Sequence, residues 1–578
     1  MKLILKQYLA SLGERDELDA VLPDLLSQLG LNVFSRPGRG TRQDGVDVGA
    51  VGALEGDEDK VYLFSIKPGD ITRQSWAEDS VQALRPSLVE ILDSYIPNRM
   101  PPEHRSKDVV ICICCGGDIQ EQVRPNIRGF TTQHARTGVS FEEWNGDKLA
   151  ELILNNFLRE DLLPKNARTL LRKAIALLDE PETSHGHFAK LMLALSSVDT
   201  SKEKDAVTAV RQIVICLWVL YSWCRETGNL ESAYLSAELA VLHAWHVTRQ
   251  FIGKSTKASK SVSAAFETVC STYQQVCSKY LEKVVLPHAS LPHALSSAVR
   301  AADRVDINLR MFDVLGRLAI DGLWAYWGVH RADTDADRAE LCMQEAKQRA
   351  NALAEMVRNN PALLLPIKDD QAIDLTLAIL LLTVVGDHEL NVHAWLNEML
   401  GRAQFSYSIF GDYPSTIRSY VDLLDRKKDE AFRKEFTEAS ILYPVMAFWA
   451  AMYRFDDVFS GIADFKQQKI KHCNFQYWYP DETSEQHIYI DSDMHGMTLS
   501  HLPINKTPGE FLDQIFAECD ETPAFKNLSA VKVGLWPLLL IASRYHRIPV
   551  PMELFKGIRN TESIADEATE SQLQPSTG

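Results

Sequence analysis

Long hydrophobic runs are missing from this sequence. None of its apolar stretches approaches the roughly 20 residues of a membrane-spanning helix, so the expectation is a chain without a membrane segment. A secretory signal is missing too. Met1-Lys2-Leu3-Ile4-Leu5-Lys6-Gln7 has neither the longer apolar core nor the small-residue cleavage site, and its continuation is charged. These absences predict a cytoplasmic protein. Paired cysteines are scarce. Of ten, only Cys112 and Cys115 have CxxC spacing, and no second pair completes a zinc site, so they and Cys114 read as buried reduced thiols in an apolar strand. Positive charge is also in deficit. The formal charge of -17 excludes a chain that coats nucleic acid through clustered Lys and Arg, and any DNA contact has to be local.

What is present is the composition of a globular chain, 46% hydrophobic and 24% charged. Its length exceeds one ordinary core and implies roughly two to four domains.

The densest chemistry lies between residues 43 and 67. Gln43-Asp44-Gly45-Val46-Asp47-Val48 precedes a strand, Tyr62-Leu63-Phe64-Ser65-Ile66-Lys67, and a hairpin through Gly52 to Lys60 joins the two. Strand side chains alternate faces, so Ser65 and Lys67 share one, and the hairpin brings Asp47 beside them. A carboxylate that can hold a metal and an ammonium that can orient water are the parts of a nuclease; the plainer reading is a partly exposed salt bridge within a hairpin. Upstream, Ser35-Arg36-Pro37-Gly38-Arg39-Gly40-Thr41-Arg42 sets Arg36, Arg39 and Arg42 on one loop, either a DNA contact or a solvated turn.

Around this segment the elements alternate. Leu18, Val21, Leu22, Leu25, Leu26 and Leu29 form a helical stripe that Gly30 ends and Pro23 bends, and Leu31 to Phe34 make a short strand. A helix over 80–95 is kinked at Pro86, and 108–115, apolar on both faces, reads as a central strand. A helix near 120–136, interrupted by Pro125, a strand 139–144 and a helix 147–158 complete an α/β sheet covered on both sides.

The succession Glu14 to Gly30, Arg39 to Asp47, Phe64 to Lys67, Asp108 to Cys115 and Val139 to Leu152 resembles the PD-(D/E)XK nuclease superfamily, and within it the Mrr-type restriction endonucleases and related nuclease effectors of anti-phage systems. The resemblance covers about a quarter of the chain. It implies a metal-binding role for Asp47, a water-orienting role for Lys67, and an acid from the first helix at Glu14 or Glu17. For Glu14 and Glu17 a solvated first turn favoured by the helix dipole fits equally well. The implied cofactor is Mg²⁺ or Mn²⁺, held by Asp47, Glu17 and the Ile66 carbonyl. Ser65 departs from the pattern, which has Glu, Asp or Gln there, and a neutral hydroxyl is a poorer Mg²⁺ ligand than a carboxylate.

From residue 160 onward the spacing is mostly helical. Leu217 to Tyr221, then Gly228 to Tyr234, then Ala237 and Ala240 resemble a tetratricopeptide-type hairpin, without a fixed repeat period along the chain. Trp324, Tyr326 and Trp327 before Ala350, Ala352 and Ala354 read as helix packing. Two strands are expected at 472–479 and 486–490, turning at Pro480. Nearby His472, Cys473, His487, Asp491, Asp493 and His495 match no standard zinc spacing. Gly534 to Ile541 opens a final buried helix, and Thr561 to Gly578 reads as a polar, disordered tail.

The expected architecture is an α/β nuclease-like domain over 1–158 followed by a large, mostly α-helical, solenoid-like region: helical repeats over 159–465, a helical region with a small β-hairpin over 466–560, and the tail. The expected function is a metal-dependent DNA endonuclease effector of a prokaryotic anti-phage or restriction system, regulated through its helices. The alternative is an inactive nuclease-fold scaffold that binds proteins, and RNA stays open as a substrate. With 17 Lys and Arg against 24 Asp and Glu over residues 1–155, the first domain carries a charge near -7 and should hold free DNA weakly. That fits a need for a protein partner or homo-oligomer, and the resemblance implies an ATPase or SMC-like subunit.

Overall fold

The computed structural model describes residues 2–12, 18–36, 44–54, 58–77, 83–156, 167–197, 202–252, 254, 256–299, 301–332, 335–417, 419–425, 429–491, 495–521 and 523–556. Two compact units result, Met1–Val276 and Cys277–Gly578. This division falls inside the region that the sequence reading treats as one run of helices.

In the first unit five strands, β1 (Asn32–Ser35), β2 (Val48–Gly52), β3 (Lys60–Lys67), β4 (Val109–Cys115) and β5 (Val139–Trp144), pair in chain order. β1 to β3 run antiparallel, and β4 and β5 join β3 in parallel. Hairpins suffice for the first three, whereas the parallel pairs need crossovers. Those are the helical stretch Leu84–Arg99 and the helix Arg124–His134, whose first turn accommodates Pro125. β4 is buried at every position because helices cover both faces of the sheet. On one face Val61, Leu63, Ile111 and Ile113 pack with Leu88, Ile91, Ile127 and Phe130. On the other, Phe64 meets Trp144 edge to face at 5.0 Å. There the helix Lys2–Ser11 packs on Gly146–Asn156, with Lys2 bonded to Asp147 and Glu151 at 3.0 Å.

Helices follow the sheet in the same unit. Glu203–Glu226 and Glu231–Thr248 form the expected hairpin, turned by Gly228 at φ +73°, where an L side chain would be strained. Contrary to the expectation from apolar runs, Asp205–Glu226 is long and apolar enough to span a membrane. It packs as a core helix, with 83% of its apolar window buried in protein.

The second unit is mainly helical, built on the paired helices Arg304–Arg331 and Ala336–Asn359 and the buried helix Ala372–Val385. Its small sheet orders β6 (Ala439–Ser440), β7 (Asn474–Tyr479) and β8 (Met497–Ser500). The strand expected at 486–490 is not one. Asp481 Oδ1 accepts from Thr483 N, Ser484 N and the Thr483 hydroxyl, which starts a helical turn at Ser484–His487, and β8 supplies the antiparallel partner of β7 instead. Pro537–His546 is the expected final helix. The tail at 561–578 lies outside the described residues.

Candidate functional site

The site begins with the β2–β3 register. Val48 faces Phe64, and the next residue back, Asp47, donates its amide to the Phe64 carbonyl at 2.9 Å. Its carboxylate Oδ2 accepts the Ile66 N–H at 2.7 Å, so Asp47 extends the ladder with its side chain just before β2 begins. The N–H and C=O of one strand residue leave on the same side, so the Ile66 carbonyl also points toward the Asp47 flank.

β3 carries the other two residues. Ser65 and Lys67 alternate with Ile66 and lie on the face of Val61 and Leu63. Ser65 is fully buried, and its hydroxyl has no hydrogen-bond partner among the described residues. An unpaired buried hydroxyl costs about 1–3 kcal/mol. Lys67, only 7% exposed, is the last residue of β3 and stands in register with Cys115. Negative charge gathers at this end of the sheet. Burial, with Asp118, Asp70 and Glu143 nearby, pushes the Cys115 thiol up to about 12. Cys114 is raised by burial, with Cys115 and Asp47 adding to it. Cys112, Cys114 and Cys115 are buried free thiols.

Two features behind Asp47 escape a motif search. Asp44, in the left-handed region at φ +47°, is buried and pairs with Arg99 Nε at 2.7 Å. Gly45, at φ +81°, rests so closely on the Ser87 carbonyl that a Cβ would collide with it. The turn that aims Asp47 is thus braced from the helical stretch after β3. The Asp44-Gly45 dipeptide is a turn signal in the sequence, but its partners Arg99 and Ser87 are distant.

Of the residues singled out from sequence, Asp47 sits just before β2 with its carboxylate on the Ile66 N–H, and Ser65, Ile66 and Lys67 are the last three residues of β3. Arg36 is exposed just past β1. Glu14, Glu17, Arg39 and Arg42 lie outside the described residues. Asp47 and the Ile66 carbonyl offer oxygens on one flank, a donor set that fits a Mg²⁺ retaining most of its waters. Ser65 adds no carboxylate.

The cluster between β7 and β8 resolves differently from its sequence order. His472 Nε2 is bonded to Thr437 Oγ1 at 2.7 Å, and Cys473 is buried, its thiol raised by that burial to about 12. Asp493 lies outside the described residues. His487, Asp491 and His495 come together.

Comparison with protein-family models, with curated proteins and with solved structures finds no match to this chain.

Proposed function

We propose that the first unit is a Mg²⁺-dependent endonuclease acting on DNA, and that the helices following the sheet, solenoid-like in their pairing, regulate it by docking a partner. The observation that carries this reading is the Asp47 carboxylate held by the amide of Ile66, the residue next to a buried lysine that ends the same strand. A bound divalent ion would polarise the phosphodiester and lower the pKa of water. Asp47 and the Ile66 carbonyl would hold that ion, with Glu17 or Glu14 as the further acid. Lys67 would orient the attacking water, and its burial favours this role because a dry site strengthens its charge. Arg36, Arg39 and Arg42 would meet the DNA backbone locally. The net negative charge of residues 1–155 fits a need for assembly or a helper subunit, and an ATPase or SMC-like protein is the class that the family resemblance implies.

One observation favours a second reading, the inactive scaffold. Ser65 is neutral, fully buried and without a hydrogen-bond partner among the described residues where the nuclease pattern has an acid. Nicking of supercoiled plasmid in Mg²⁺ or Mn²⁺ separates the two. Cleavage by the wild type and its loss in Lys67→Ala supports the nuclease. Cleavage that survives Lys67→Ala and Asp47→Asn removes the catalytic assignment, and a wild type inert in both ions, alone and with added host extract, supports the scaffold.

A further inference from the structure

The second unit holds a compact set of nitrogen and oxygen donors unconnected with the sheet. His487 closes the helical turn that Asp481 starts, and Asp491 follows at helical spacing, its Oδ2 2.8 Å from His487 Nδ1. The chain returns through His495, whose ring stacks on that of His487 with centroids 3.4 Å apart and planes within 13°. Two constraints fix this return. Ser484 Oγ donates to the His495 carbonyl, and Gly496 lies so close to Trp478 Nε1 and the Tyr479 carbonyl that a Cβ there would overlap both. His495 is therefore held over His487 by residues at both ends of the turn.

We propose that His487, Asp491 and His495 bind one divalent transition-metal ion of the Zn²⁺ class. One ligand atom from each residue can be chosen so that all lie within 4.8 Å of one another. A tetrahedral ion with bonds of about 2.1 Å holds its ligands about 3.4 Å apart, so closing the site requires one of the two stacked imidazoles to turn until both ring nitrogens face the ion. A His–Asp ion pair alone would explain the 2.8 Å contact, but it gives no reason to stack a second imidazole on the first. Imidazole nitrogens select Zn²⁺, Cu²⁺, Ni²⁺ or Fe²⁺ over Mg²⁺ and Ca²⁺, which prefer oxygen, so this ion differs from the one proposed for the sheet. His487 and Asp491 side chains are 31% and 35% exposed, which leaves an entry path and room for water as the fourth ligand. Bound there, the ion ties the segment between β7 and β8 into one closed loop.

The test is metal content by mass spectrometry after chelation, reloading with ZnCl₂ and desalting of the full chain. One zinc per chain is expected in the wild type and in Asp47→Ala. Loss is expected in His487→Ala and His495→Ala, and Asp491→Asn should bind at least about tenfold more weakly. A wild type without zinc, or histidine variants that retain it, would overturn the proposal. So would loss in Asp47→Ala alone. Should circular dichroism show the histidine variants unfolded, Co²⁺ titration of the wild type decides. Intense visible bands of a tetrahedral site support the assignment, and a weak octahedral spectrum refutes it.

Discussion

Asp47 is both a brace and, in the proposed function, a metal ligand, and two substitutions pull these roles apart. Its Oδ2 accepts the Ile66 N–H at 2.7 Å in a part-buried setting. A hydrogen bond to a charged acceptor contributes about 1.5–3 kcal/mol, and a neutral one about 1 kcal/mol. Asp47→Asn keeps an amide oxygen for Ile66, so the strand end should weaken by about 1 kcal/mol. Asp47→Ala leaves the amide unpaired and should cost about 2 kcal/mol. With two units, global unfolding is not two-state, so the local readout is hydrogen exchange of a peptide spanning residues 60–67. There about 2 kcal/mol appears as roughly thirtyfold faster exchange when opening is local. Plasmid cleavage should respond otherwise. Both variants remove the charge and should lose about a hundredfold or more, the scale of deleting one preorganised electrostatic contact. The reasoning fails if Asp47→Asn cuts at the wild-type rate, which would reduce Asp47 to a strand cap, or if Asp47→Ala exchanges no faster than the wild type.

Gly45→Ala should cost about 2 kcal/mol or more in exchange at the 44–48 turn, because it combines a positive φ with a collision at the Ser87 carbonyl, and cleavage should fall with it; wild-type exchange would show the turn free to move. In the second unit Arg547 Nη2 binds Asp374 Oδ2 at 2.8 Å, with Asp374 1% exposed and the Asp370 carboxylate 3.4 Å away. Arg547→Met should destabilise by about 3–5 kcal/mol in hydrogen exchange of a peptide spanning residues 370–382, and adding Asp374→Asn should restore part of it; equal exchange in the single and double variants would refute an isolated buried charge. Glu553 has both carboxylate oxygens buried with no hydrogen-bonding side chain on them among the described residues, and that burial raises its pKa from 4.5 to about 7. Folding therefore favours the protonated acid: the penalty is absent below pH 4.5, grows between 4.5 and 7, and is complete above 7. Glu553→Gln should be neutral at low pH and stabilise by at most about 3 kcal/mol above the folded pKa, with a pH-independent effect refuting the linkage.

The sequence is most readable where burial alone dictates structure. β4 announces itself because a strand covered on both faces has no polar position to spare, and Val109–Cys115 has none. The strands that carry Asp47 and Lys67 are legible because β2 and β3 are local neighbours, so a short hairpin determines the register of those two strands. Information fades once partners are distant. Nothing near Asp44 points to Arg99, yet that pair aims the turn before Asp47. Gln486 to Ile490 alternates like a strand, but local side-chain bonds from Asp481 outweigh a five-residue pattern and wind it into a helical turn. The same winding explains why metal-ligand spacing was no guide there. With a strand at 486–490, His487 and Asp491 would lie four residues apart along an extended chain; the helical turn instead sets them within 2.8 Å, and β8 brings His495 back above them. Ligand geometry at this loop is thus a product of its turn chemistry. Loss of the Asp481 bonds should scatter all three donors even though none of them is changed.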